Sequence, residues 1–137
     1  MNEQELNAEI NSHSNNPKNY GQIYPSNGVG MGFNPENHHF VIFYLYIEDE
    51  ILKDVGYGVN ADEESIILAS MFSEMIKGEK LDSAKKTAKL MREEIKNSST
   101  PQQNSAKIVL SSFDAAVINH KNLENKIQET MHKLPIS

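Results

Sequence analysis

Residues 39–59 hold two apolar runs, HFVIFYLYI and ILKDVGYGV, with only the acidic triplet EDE between them. β-Branched and aromatic side chains crowd both runs, and so short a gap joins strands as an antiparallel hairpin. A hairpin of this kind must have at least one face covered. The first run is apolar at nearly every position, so both its faces are candidates for burial. Gly56 and Gly58 weaken the second strand or let another element approach it closely.

The segment after the hairpin supplies the cover. Asn60 or Asp62 is placed to cap a helix, and Asp62, Glu63 and Glu64 suit the positive end of its dipole. Ile66, Ile67, Ser70, Met71, Glu74 and Met75 carry a mostly apolar stripe, and Gly78 suits the helix end. LDSAKKTAKLMREEIKN repeats the grammar, with Leu81 as staple, Asp82 as N-cap, and Ala84, Ala88, Met91 and Ile95 as the buried line. NSSTPQQNS reads as a linker. Helical spacing resumes through Ile108, Val109, Leu110, Phe113, Ala116 and Val117, then through Leu123, Ile127, Met131 and Leu134. Whether His120–Asn122 divide this stretch into two helices stays open. Residues 1–36 are rich in Asn, Glu and Ser, with Pro17, Pro25 and Pro35 as breaks. There ELNAEI suits a turn or two of helix, NNPKNYG and PSNGVGMG read as loops, and part of the segment is expected to be mobile. The whole reads as one α+β domain over 1–137. A small antiparallel sheet of about three strands is followed by three to four helices on one face.

Composition narrows the chemistry. A formal charge of −6 argues against a nucleic-acid surface, and Lys85, Lys86, Lys89 and Arg92 read as a solvated helix face or a dock for an acidic partner. The start of the chain lacks the basic and apolar regions of a secretory signal, and no apolar run approaches the roughly 18 residues of a membrane span. The expected location is the cytoplasm. No Ser/His/Asp spacing supports nucleophilic catalysis, and GVGMG is not a phosphate-binding fingerprint, so no enzyme is expected. The chain has no cysteine, which excludes disulfides, thiolate nucleophiles and thiolate metal sites.

Three stretches carry a resemblance. HSNNPKNYGQI (13–23) resembles an H-x-x-N-P-x-N-x-G opening. ILKDVGYGVNADEESIILASMFSEMIKGEKLDSA (51–84) resembles a strand, loop and helix ending in E-x-x-K-G-K-x-x-x-E-A. AKIVLSSFDAAV (106–117) resembles K-L-H-C-x-x-L-x-x-D-A. Together they are similar to the iron–sulfur cluster scaffold proteins, the IscU family and the N-terminal domain of NifU. The resemblance implies an iron–sulfur cluster assembly protein of the scaffold type, with cysteine desulfurase or other assembly proteins as partners. It also implies a ligand set of three cysteines supported by an Asp and a His. In this chain the loop cysteine falls on Asp62, the first cysteine on Glu36 or Asn37, the neighbouring Asp on His38 or His39, and the late His-Cys pair on Val109 and Leu110. With every thiolate gone, an iron–sulfur cluster is not expected here, because such clusters are held by soft thiolate sulfur. The expectation is an accessory or regulatory homologue that docks assembly partners.

The alternative is a hard-donor metal site. Asp62, His38, His39 and Glu36 offer carboxylate and imidazole groups suited to iron or zinc. Against it, Asp62 doubles as a helix cap, and adjacent His38 and His39 on a strand would point to opposite faces.

Overall fold

A computed structural model describes residues 2–134. The order is α1 (Glu3–Asn15), β1 (Gly28–Phe33), β2 (Phe40–Glu48), β3 (Ile51–Asn60), α2 (Glu63–Ile76), α3 (Leu81–Ile95) and α4 (Thr100–Lys133). The strands form one antiparallel sheet in the order β1-β2-β3. The expected α+β architecture, with three strands and four helices, is the one observed.

The hairpin is present as expected. Glu48 pairs with Ile51, so Asp49 and Glu50 alone make the turn, both with left-handed backbone angles (φ 55 and 63). That is the conformation a two-residue hairpin needs to match the twist of its strands. Strand alternation then sorts the side chains. Val41, Phe43, Leu45 and Ile47 of β2 and Val55 and Tyr57 of β3 are buried on the inner face. Phe40, Ile42, Tyr44 and Tyr46 lie on the outer face and are only half-buried, so β2 is covered fully on one side.

The segment expected as a glycine-rich loop is β1. Gly28, Gly30 and Gly32 pair with Leu45, Phe43 and Val41, so all three glycines face inward. Helix α4 lies directly on that column. A Cβ on Gly28 would sit 2.7 Å from the Ala116 carbonyl oxygen, one on Gly30 would strike the backbone of Ala115 and Ala116, and one on Gly32 would strike the Ile108 carbonyl. The glycines serve close approach of helix to strand and not a turn. Helix α4 therefore runs antiparallel to β1, from the Gly32 end at Ile108 to the Gly28 end at His120.

An aromatic chain ties the layers together. Phe43 stacks on Tyr57 (5.8 Å between centroids) and meets Phe72 of α2 (5.9 Å), which meets Phe113 of α4 (5.1 Å). On α2 the core face is Ala69, Phe72 and Ile76 with three buried serines, Ser65, Ser70 and Ser73. The expected stripe is half turned away: Met75 is exposed, and Ile66, Ile67 and Met71 are half-buried. Polar residues occupy the buried face because they have polar partners. Ser70 Oγ lies 2.5 Å from His13 Nδ1 and accepts the Lys18 backbone N–H (2.7 Å), and Ser73 Oγ accepts from Asn19 Nδ2 (3.1 Å). These bonds hold α1 and the 16–21 segment against α2. Gly21 N–H also donates to the Tyr57 carbonyl (2.7 Å). Residues 1–36 thus supply a 13-residue helix and a strand, where a short helix and loops were expected.

Two helix starts also differ from expectation. Helix α3 begins at Leu81 with Lys80 as N-cap, and Asp82 lies in its first turn. The Leu81 N–H donates to the Glu50 carbonyl (2.8 Å), which pins the helix start to the hairpin turn. Helix α4 begins inside the presumed linker, with Ser99 and Gln102 forming a capping box and Pro101 in the first turn. It then continues through His120–Asn122 as one helix of 34 residues.

Candidate functional site

At the Gly32 end of the sheet, the six-residue connection 34–39 between β1 and β2 meets the starts of α2 and α4. The three walls enclose a cleft of about 300 Å³. Asn34, Asn37 and His39 come from the connection, Asp62 and Ser65 from α2, and Thr100, Pro101, Asn104, Ser105 and Ile108 from α4. The connection is held by its own asparagines: Asn34 Oδ1 accepts the Glu36 N–H (3.0 Å) and Asn37 Oδ1 the His39 N–H (2.9 Å). Their amide nitrogens make no hydrogen bond among the described residues.

Asp62 is the N-cap of α2. Its Oδ1 accepts the Ser65 backbone N–H at 2.9 Å and the Ser65 hydroxyl at 2.7 Å. The Ser105 hydroxyl reaches both carboxylate oxygens at 3.3–3.4 Å, so Oδ2 has one long bond and remaining acceptor capacity. Partial burial pushes the carboxyl pKa up. The Ser65 hydroxyl and N–H, the Ser105 hydroxyl and the nearby His39 imidazole outweigh this and hold it below the usual carboxylate value.

The four sequence candidates separate. Asp62 and His39 face the same cleft. His38 occupies a left-handed turn (φ 63) just ahead of β2, and its ring stacks on Phe33 at 6.2 Å. Glu36 lines a neighbouring hollow of about 230 Å³ with Lys107 and Ser111. On α4, Val109 and Leu110 are buried in the core, and the residues that turn toward Asp62 are Ser105 and Ile108. Among the described residues, no three His, Asp or Glu side chains form a group that could hold a metal ion. The donors therefore do not fit an iron–sulfur cluster. The cleft offers one carboxylate, one imidazole, amides and hydroxyls, and no soft ligand. Asn104 and Ser105 escaped the sequence reading. The signal for them is the Ser99–Gln102 capping box, which sets helical phase two residues before Asn104 and puts 104, 105 and 108 on one face.

The sequence profile of the NifU-like N terminal domain matches residues 5–128. The chain belongs to this family. Curated relatives include the iron–sulfur cluster assembly scaffold protein IscU of Aquifex aeolicus, 30% identical over 82 residues that cover 58% of this chain and 52% of that protein. Scaffold protein IscU 1 of Archaeoglobus fulgidus is 31% identical over 74 residues, 54% of this chain and 48% of that protein. The chain thus spans about half the length of the curated relatives it matches. Solved structures share the fold. One is a putative iron–sulfur cluster assembly scaffold protein for the SUF system of Fervidobacterium islandicum, with TM-score 0.64, 18% identity, and coverage of 80% of this chain and 92% of that one. Another is the N-terminal part of a nitrogen-fixing NifU-like protein of Brucella abortus, with TM-score 0.54, 15% identity, and coverage of 94% and 96%. Among the described residues, no helix is long and apolar enough to cross a membrane.

Proposed function

We propose that this chain serves iron–sulfur cluster assembly as an accessory or regulatory member of the scaffold family, by docking assembly proteins and not by carrying a cluster. One observation carries the reading: the family fold persists over residues 5–128 while the chain has no cysteine and its cleft presents Asp62, His39, Ser105 and Ile108. Persulfide sulfur cannot be received without a thiol, and a ferric-sulfide core has no soft ligand here. What the chain keeps is a shape, and a shared shape supports shared docking. Cysteine desulfurase and the other assembly proteins of the same cell are the partners this predicts. The role is one of binding, with no catalytic group assigned.

The test pairs two measurements. Purified chain is titrated with the host's cysteine desulfurase and its other assembly proteins by sedimentation, and is separately incubated anaerobically with Fe(II) and sulfide. Binding to at least one assembly protein, with no visible cluster spectrum on the chain alone, is expected. Absence of binding to all of them overturns the docking role, and a stable cluster on the chain alone overturns the loss of carriage.

A second reading rests on Asp62 and His39 sharing one cleft, and makes the chain an iron- or zinc-binding protein. Two protein ligands fall short of the three that catalytic zinc sites use, so a bound ion would need water or a partner's side chain as well. Anaerobic calorimetric titration with Fe(II) and Zn(II), on wild type, Asp62→Ala and His39→Ala, tests it. One equivalent bound by wild type and lost in both variants supports it; no heat from wild type removes it.

A further inference from the structure

Helix α4 outruns the domain. Beyond His120 its residues are exposed through Lys133, a length of about 20 Å at 1.5 Å per residue. Its apolar side chains nevertheless keep one line. Leu123, Ile127 and Met131 follow at i+4 and are 42, 52 and 65% exposed. Between them runs a groove of about 350 Å³ that also touches Lys126 and Thr130. Upstream, the same helix buries Phe113 and Ala116 on the glycine column of β1. The distal stripe has no cover among the described residues.

Among the described residues, the outer face of the sheet is another open apolar surface. There Val29, Met31 and Phe33 of β1 stand beside half-buried Phe40, Ile42 and Tyr44, and Met31 is 54% exposed. From Val29 to Phe33 the strand runs about 14 Å at about 3.4 Å per residue, close to the about 12 Å from Leu123 to Met131 at 1.5 Å per residue. Charge also matches. Lys126 lines the groove and Glu48 ends the outer face of β2, so an opposite-charge pair can form across the contact, while Glu124 on the other side of the stripe lies 3.8 Å from His120. A single stripe of this size falls short of the about 800 Å² that each partner of a stable complex hides. A reciprocal exchange doubles the contact and closes on itself.

We infer that the chain pairs with a second copy of itself, the distal stripe of α4 in each protomer lying on the outer sheet face of the other. Leu123, Ile127 and Met131 meet Val29, Met31 and Phe33 twice in such a pair, related by a two-fold axis. The stripe shares no residue with the cleft at Asp62, so sedimentation of the chain alone tests the pairing apart from the docking role.

Sedimentation of the full chain across low to high micromolar concentration tests the inference, on wild type, Ile127→Asp and Met31→Asp. Both substituted side chains are exposed, so the variants keep the wild-type circular dichroism and melting. Wild type is expected at twice the chain mass at high concentration, and each variant is expected to weaken pairing at least tenfold. An equimolar mixture of the variants restores one of the two contacts and gives a heterodimer of intermediate affinity. A monomeric wild type at the highest concentration overturns the inference, the stripe then being left for a different protein. A Met31→Asp variant that pairs like wild type while Ile127→Asp does not also overturns it, because α4 would then be pairing with α4.

Discussion

Gly30→Ala adds one methyl group at the tightest point of the molecule. Its Cβ would lie 2.6 Å from the Ala115 Cβ and closer still to the Ala116 nitrogen, where nonbonded carbons prefer about 3.5–4.0 Å. The atoms it meets belong mainly to helical backbone, so no side chain can swing aside. Helix α4 must retreat by about 1 Å. A gap of that size forfeits a quarter to a half of each contact beneath it, including those of Phe113 and Val109. Overpacking of this kind costs about 1–3 kcal/mol, and loss along the helix places Gly30→Ala at the upper end, about 3 kcal/mol. For a chain of this size that lowers the melting temperature by about 10 °C. Gly58→Ala is the control. It lies in the same sheet with nothing within 4 Å of its Cβ, and replacing a strand glycine there stabilises by about 0.5 kcal/mol. Calorimetric melting of the two variants beside wild type decides the matter. A Gly30→Ala protein that melts within about 2 °C of wild type would refute the close packing of α4 on β1.

Asp62→Ala removes the cap of α2 and is expected to cost about 1 kcal/mol, read from urea unfolding at neutral pH. Because the folded carboxyl sits below its ordinary value, its ionised form stabilises the fold above about pH 3.8, and that contribution is lost as pH falls further, toward the lowered value. Asp62→Asn, which keeps a capping oxygen, should therefore flatten the acid limb of stability against pH in that window, and an unchanged limb counts against the hydrogen bonds described. Burial pushes the Tyr57 hydroxyl up to about 12; the Ser70 hydroxyl opposes this only in part, being engaged by His13 and Lys18, and the Tyr57 hydroxyl completes no hydrogen bond among the described residues. Tyr57→Phe is accordingly neutral or stabilising by up to about 1 kcal/mol in thermal melts, and a loss of 2 kcal/mol would reveal a partner for that hydroxyl.

The hairpin and the cap of α2 are legible in the sequence because their signals are local. Two apolar runs three residues apart admit little but a hairpin, and Asn60 or Asp62 ahead of an apolar stretch is a cap by chemistry alone, Asp62 being the one used. Strand β1 is not legible as a strand. Its inward positions are glycines, whose purpose exists only once α4 lies on them, so the period of two in Gly-Val-Gly-Met-Gly-Phe shows through Val29, Met31 and Phe33 on the less covered side. The face of α2 misleads for a related reason. Hydropathy favours Ile66 and Met75, but Ser70 and Ser73 are buried because His13, Lys18 and Asn19 reach them from more than fifty residues away. For the cleft, sequence points to Asp62, His38, His39 and Glu36, of which Asp62 and His39 line it. The family resemblance places the α4 wall on Val109 and Leu110, which the helical phase set by Ser99 turns into the core, leaving Ser105 and Ile108 to face Asp62.

Helix α4 joins two regions that have no other connection of this kind. Thr100 and Ser105 line the cleft, and Met131 lies roughly 40 Å away along the same unbroken ladder of hydrogen bonds. A rod of that length behaves as a lever with its bearing on the glycines of β1. Glycines present no side-chain knobs to lock its register. A load on the far end that tilts the rod is carried toward the wall of the cleft, with the Phe113–Phe72 contact resisting a slide along its axis.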